Sequence, residues 1–214
     1  MRTQTFISSM VLSVACVSAA NAAVVDPFTV ASSATDGAGT VTETPITGGL
    51  WDTRYTSVQY RINITNRATA SLVVDASTNA ATFTVTRVGL ANNQNDQIGT
   101  LEYEGGTTDV SNFTSLTFNY TSTFSALLFD IDLGGKTAAK TISASAGGTF
   151  TLTAAELSGA FNGVSYMNIV LRQDDSNANG TFTMTNLVAN GIPAPGAVAL
   201  LGAAGLIGAR RRRD

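Results

Sequence analysis

The sequence predicts an all-β chain in which two antiparallel sheets pack face to face as a sandwich. Three observations predict it. Short runs of alternating apolar and polar residues recur along the chain, each bounded by turn residues. The body is rich in Thr, Ser, Gly and Asn, which suits strands buried on one side only. No segment of the body has the length and period of a crossover helix, which a parallel sheet would require.

Taken in order, residues 1–22 read as a secretory signal peptide. Arg2 gives the positive start, residues 7–20 are mostly apolar or small, and Ala20-Asn21-Ala22 is a small-residue cleavage site. The mature chain is expected to begin at Ala23. Residues 28–30 and 41–44 are weak strand signals. Residues 58–65 alternate throughout, which sets Val58, Tyr60, Ile62 and Ile64 on one face. Residues 72–75 follow, and then Phe83 and Val85 alternate with Thr82, Thr84 and Thr86. Residues 98–103 come after an Asn-rich turn. Leu116, Phe118 and Tyr120 share a face, as do Leu127, Phe129, Ile131 and Leu133. Further strands are predicted over 141–146, 149–152, 166–171 and 181–188. One segment departs from the strand pattern: Thr153-Ala154-Ala155-Glu156 has the form of a capping box, and Leu157 can close a single helical turn. The sandwich domain is therefore assigned to residues 23–191.

Residues 192–214 form a separate tail. Pro193 and Pro195 mark a turn, residues 196–209 are uncharged and apolar, and Arg210, Arg211, Arg212 and Arg213 follow. As a helix the apolar run spans about 21 Å at ~1.5 Å per residue. That is short against a bilayer core of about 30 Å. The arginines resist translocation, so the tail is expected to stop with its C-terminus in the cytoplasm, as a temporary transmembrane hold.

Charge and composition exclude several functions. The chain has 12 basic and 15 acidic residues, and no histidine. Setting aside Arg2, the four terminal arginines and Asp214 leaves 7 basic and 14 acidic residues, a net charge of −7. Nucleic acid is not an expected partner, because binding it requires a basic patch that displaces counterions. Without histidine there is no Ser-His-Asp set and no common zinc ligand. The one cysteine, Cys16, lies in the leader, so the mature protein holds together without a disulfide.

Three features carry candidate chemistry. Asp175, Asn177 and Asn179, closed by Gly180, place side-chain oxygens at alternate positions, as in a calcium loop. The closing Glu six residues after the glycine is absent, since Asn186 stands there. The alternative is a polar hairpin turn joining strands 166–171 and 181–188. Asp130 with Asp132, and Glu102 with Glu104, lie two apart on strands. Such pairs sit roughly 7 Å apart, within reach of an inverting glycosidase. The flanking Phe129 and Ile131 give the simpler account of a half-buried strand with a wet face. Trp51 is the single tryptophan, with Arg54 and Tyr55 beside it. Together they can form a sugar-binding platform. The alternative is that Trp51 packs in the core.

The order of Pro-x-Pro, apolar run and terminal arginine cluster resembles the PEP-CTERM sorting signal, which exosortases process in Gram-negative bacteria. The residue between the prolines is Ala194, where that signal usually has glutamate. The resemblance implies transient anchoring in the inner membrane, cutting near Pro193 and Pro195, and release or attachment at the cell surface. The body is also similar to secreted PEP-CTERM proteins with jelly-roll sandwiches. It shares the order of Asp26-Pro27-Phe28, a Gly48-Gly49-Leu50-Trp51-Asp52-Thr53-Arg54 stretch, Gly99-Thr100-Leu101-Glu102-Tyr103-Glu104-Gly105, and a last strand just before the tail. That implies a jelly-roll-like fold and a compartment, and no activity. The expected function is a non-enzymatic surface or matrix protein. The alternative is a carbohydrate-binding module for exopolysaccharide, with Ca2+ as its one possible cofactor.

Overall fold

The computed structural model describes residues 22–35, 41–60, 69–86, 97–105, 110, 112–143, 147–157, 164–173 and 179–192. The expected leader up to Asn21, with Ala20, the expected sorting tail with Pro193, Pro195 and Arg210 to Arg213, and the positions Ile62, Ile64, Asp175 and Asn177 lie outside the described residues. Among the described residues no helix is long and apolar enough to cross a membrane.

Thirteen strands are described: β1 (Ala22–Asp26), β2 (Ser32–Thr35), β3 (Val41–Pro45), β4 (Thr53–Tyr60), β5 (Thr69–Asp75), β6 (Ala80–Thr86), β7 (Gln97–Glu104), β8 (Ser115–Ser122), β9 (Ala126–Leu133), β10 (Lys136–Ser143), β11 (Gly148–Thr153), β12 (Tyr166–Gln173) and β13 (Gly180–Asn190). They form two antiparallel sheets. One has the order β11-β8-β13-β6-β5-β2, with β1 added against β13; the other has the order β10-β9-β12-β7-β4-β3. The expected jelly-roll-like sandwich is thus what the chain builds.

Alternation decides the layers. Leu72, Val74, Phe83, Val85, Leu116, Phe118, Phe182 and Met184 of the seven-stranded sheet are buried, and so are Val58, Leu101, Tyr103, Leu127, Phe129, Ile131, Ile169 and Leu171 of the six-stranded one. Their neighbours along each strand face water. An aromatic group centres the core. The Phe118 ring stacks on Phe150 at 4.7 Å between centroids and meets Phe129 of the opposite sheet at 5.0 Å.

Local chemistry sets the turns. Gly134 and Gly135 join β9 to β10 with φ of 58° and 85°. A two-residue hairpin loop of this kind needs positive φ at both positions, which glycine adopts freely. The Gly135 N–H also donates to Asp132 Oδ1 at 2.7 Å. Half of the expected capping box forms, and the Glu156 N–H donates to the Thr153 carbonyl rather than to its hydroxyl. Glu156 Oε2 accepts from the backbone N–H of Thr153 at 2.6 Å and from its hydroxyl at 2.7 Å, and Leu157 N–H closes the turn on the Ala154 carbonyl. Lys140, bonded to the same carboxyl, heads the causes that hold Glu156 down at a pKa of about 2.

Three expectations are corrected. Strands 166–171 and 181–188 do not form a hairpin: β12 pairs with β7 and β9, β13 with β6, β8 and β1, so the chain crosses from one sheet to the other between them. Phe28 is not in a strand; its φ is 55°, its N–H donates to Asp26 Oδ1 at 2.7 Å, and its ring is fully buried. β1 and β2 lie where no alternating run signalled them. β1 pairs antiparallel with the far end of β13, from Ala22 opposite Asn190 to Asp26 opposite Leu187. It finds room there because β13 bulges after Thr185, at Asn186 with φ of 54°, beyond the point where β6 stops pairing.

Candidate functional site

The outer face of the six-stranded sheet collects the chemistry. Antiparallel register lines up one side chain per strand in a transverse row: Glu43, Tyr55, Glu102, Asn168, Asp132 and Thr137, from β3 through β4, β7, β12 and β9 to β10. At about 4.8 Å per strand the row is roughly 24 Å long. A second row beside it brings Thr53, Glu104 and Tyr166 together. The Tyr166 hydroxyl donates to Asp132 Oδ2 at 3.4 Å, which ties the two rows. On the other flank Arg172 lies 3.6 Å from Asp130 Oδ2.

Both tyrosine rings on this face are partly buried, and Glu43 and Glu104 are exposed. The face carries five carboxylates, at Glu43, Glu102, Glu104, Asp130 and Asp132, against Arg172. That excess of negative charge has a titration signature. Partial burial, then the Glu104 charge, raises the pKa of Glu102. Desolvation, followed by the charges of Glu43, Glu104 and Glu102, raises that of the Tyr55 hydroxyl. Between Glu102 and Asp132, the Asn168 side-chain oxygen has no hydrogen-bond partner. The surface thus offers aromatic rings, dense acceptors, and amide and guanidinium donors on a rigid sheet.

The three residues expected to form a platform do not share a surface. Tyr55 points outward. Trp51 is 3% exposed and packs against Tyr103, with ring centroids 6.1 Å apart. Arg54 is 0% exposed. It sits beside Asp26 Oδ2 at 2.5 Å and donates to the Val30 carbonyl at 2.6 Å and to Ser32 Oγ at 3.1 Å, and the Ser32 and Thr56 hydroxyls complete this buried network at 2.8 Å. Trp51 and Arg54 therefore present no face to a ligand from solvent. For Arg54 the reason is period 2: with Tyr55 outward, Arg54 and Thr56 must point inward, whereas Trp51 precedes β4 and turns into the core from the bend before it.

Of the calcium-loop residues, Asn179 is exposed just before β13. Among the described residues, no three acidic, thiol or imidazole groups are arranged to hold a metal ion. The paired acids Glu102 and Glu104, Asp130 and Asp132 do share faces, as their spacing predicts, and all four point outward. Glu43, Tyr166 and Asn168 were not singled out by the sequence. Nothing local to them signals a site; only cross-strand register brings them beside Tyr55 and the acids.

No family model matches the chain, and no curated protein sequence matches it. Among solved structures it is similar to the family 11 carbohydrate-binding module of the cellulosomal cellulase Lic26A-Cel5E of Clostridium thermocellum. There the TM-score is 0.43 at 13% identity, over 82% of this chain and 97% of that one. A structure of the family 11 module from the same organism, in complex with a β-1,3-1,4-mixed-linked tetrasaccharide, gives 0.42 at 14% identity, over 82% and 98%. A family 29 carbohydrate-binding module gives 0.40 at 12% identity, over 77% and 92%. At these values the likeness is one of general architecture, and the site is read from its own residues.

Proposed function

We propose that the protein is a non-catalytic polysaccharide-binding sandwich that works outside the cell, with the outer face of the six-stranded sheet as its binding surface. One observation carries this reading: the transverse row that sets Tyr55 between Glu43 and Glu102 and continues through Asn168 to Asp132. A sugar ring has an apolar face and a rim of hydroxyls. Tyr55 and Tyr166 can stack on the first, while the carboxylates and Asn168 hydrogen-bond the second. A row across all six strands suits an extended chain of sugars rather than a single one. The carboxyl pairs act here as acceptors for hydroxyls, and Arg172 holds Asp130 in place.

Titration calorimetry against a panel of soluble polysaccharides tests this. Tyr55→Ala and Glu102→Gln are each expected to weaken binding about tenfold, which corresponds to ~1.4 kcal/mol. Trp51→Phe is expected to leave it unchanged. Full affinity in a Tyr55→Ala, Tyr166→Ala double variant would rule the surface out. Running the panel with and without a chelator decides whether Ca2+ at Asp175, Asn177 and Asn179 takes part.

The address is proposed on the two terminal segments. The leader directs export, and an exosortase-type enzyme removes the tail after transient anchoring in the inner membrane. The intact mass of the native product is expected to match a chain from Ala23 ending near Pro193. A product that keeps Arg210 to Arg213 would contradict that route.

A further inference from the structure

The opposite face of the sandwich has a different chemistry. Three segments repeat one pattern: TFTVT at 82–86, TFTLT at 149–153 and TFTMT at 181–185. All three fall in the seven-stranded sheet, in β6, β11 and β13. Their phenylalanines Phe83, Phe150 and Phe182 enter the core, so every threonine of the three segments points outward. β6 and β13 are neighbours, and their register sets Thr84 opposite Thr181 and Thr82 opposite Thr183. The Thr82 and Thr183 hydroxyl oxygens are 3.2 Å apart. Ser71 continues the row from Thr84 onto β5, and Thr35 carries it onto β2. Here a groove of about 260 Å³ opens, lined by Thr35, Thr69, Ser71, Thr84, Thr86 and Ala70.

The outcome is a two-dimensional lattice of hydroxyl and methyl groups. Its repeats are about 6.8 Å along a strand and about 4.8 Å between strands. Threonine is β-branched, so one torsion fixes each hydroxyl, and that torsion has few choices. Each hydroxyl has one donor and two acceptor sites; Thr82 and Thr183 share one bond with each other and keep their remaining sites for water. The most regular part is two strands wide, so a sheet twist of about 20–25° per strand bends it little.

What the face lacks narrows the ligand. Asp75, at one corner, is the only charged side chain among the outward positions of this sheet's described strands, so a charged polymer finds no counter-charge. Among the described residues of these strands no aromatic ring points outward; Tyr120 packs against the core, so sugar rings find no stacking partner there. Protein interfaces lean on aromatic residues, Met and Arg, and the outward positions of these strands hold none of them. A rigid, neutral array of hydroxyls and methyls orders water instead. We propose that the outer face of the seven-stranded sheet binds ice, taking the ordered water lattice itself as its ligand through the threonines of β6 and β13.

The test is ice growth with the purified full chain: crystal shaping, thermal hysteresis and recrystallisation. The native protein is expected to facet crystals and slow recrystallisation. A Thr84→Lys, Thr183→Lys double variant puts two hydrated charges in the lattice and is expected to fall to the level of an inert protein. Thr84→Val with Thr183→Val keeps the shape and removes only hydroxyls, so it separates loss of the array from loss of fold, and circular dichroism checks both pairs. Gln59→Lys, a charge on the opposite sheet, is expected to leave ice growth as in the native protein. Absence of shaping and hysteresis up to the solubility limit would overturn the proposal. So would full activity in the double lysine variant, or a preference of this face for crystalline polysaccharide over ice.

Discussion

Asp26→Ala is expected to cost about 3–5 kcal/mol of stability, more than removal of any surface acid. Arg54 is fully buried, and Asp26, itself 1% exposed, is the anion that balances it. The Val30 carbonyl and Ser32 hydroxyl that Arg54 also reaches supply dipoles but no charge. Asp26 further accepts the N–H of Phe28, which fixes the positive-φ bend that seats a buried ring. The variant therefore leaves a buried guanidinium without a counter-charge and loosens the turn at the end of β1. Urea unfolding followed by circular dichroism measures the difference. A loss below about 1 kcal/mol would mean that water reaches Arg54. Replacing both charges, as Asp26→Leu with Arg54→Met, is expected to regain part of the loss, because two apolar groups carry no desolvation penalty.

Phe118→Ala is the second large effect, at about 3–5 kcal/mol. The ring is 1% exposed and touches both layers, with Phe150 and Phe182 on its own sheet and Phe129 across the interface. Its removal leaves a cavity that rigid strands on both sides cannot close. On the same strand, the exposed Thr121→Ala is expected to cost about 0.5 kcal/mol or less. Comparable urea midpoints for the two variants would contradict the layer assignment.

Most of the fold was legible because side-chain period is a local property. The alternations at Leu116 to Tyr120 and Leu127 to Leu133 named core residues directly, and the Thr153–Glu156 spacing named its turn. β1 was hidden because Ala22 reads as the end of the expected leader, and small residues such as Ala22 and Ala23 signal no strand. β2, with the sequence Ser-Ser-Ala-Thr, buries Ala34 through its pairing with β5 and the bonds of Ser32 to Arg54 and Thr56, not through any pattern of its own. The hairpin expected between 166–171 and 181–188 failed for a related reason: turn residues mark where a chain bends, not which sheet it enters next. The candidate site was half legible. Spacing of two gave the acid pairs, whereas Tyr166 and Asn168 reach Glu102 and Asp132 through register, which no local pattern encodes. Arg54 was grouped with Tyr55 on residue type, and burial with a charge partner 28 positions away overrides that grouping. Trp51 takes the core position that the sequence reading also offered for it.

The pairing of β1 with β13 fixes the order in which this chain can finish folding. Asn190 is the partner of Ala22, 168 positions later. A chain made, or moved across a membrane, from its N-terminus exposes β1 first and β13 last. β13 also joins β6 to β8, so the seven-stranded sheet stays in three pieces, β11-β8, β6-β5-β2 and β1, until it arrives. Closing so long a loop is entropically costly and slow. Until then β1, with Ala23 and Val25 meant for the interior, has no partner strand. The last strand to emerge therefore completes the sandwich in one step, and it does so immediately before the tail that follows Ile192.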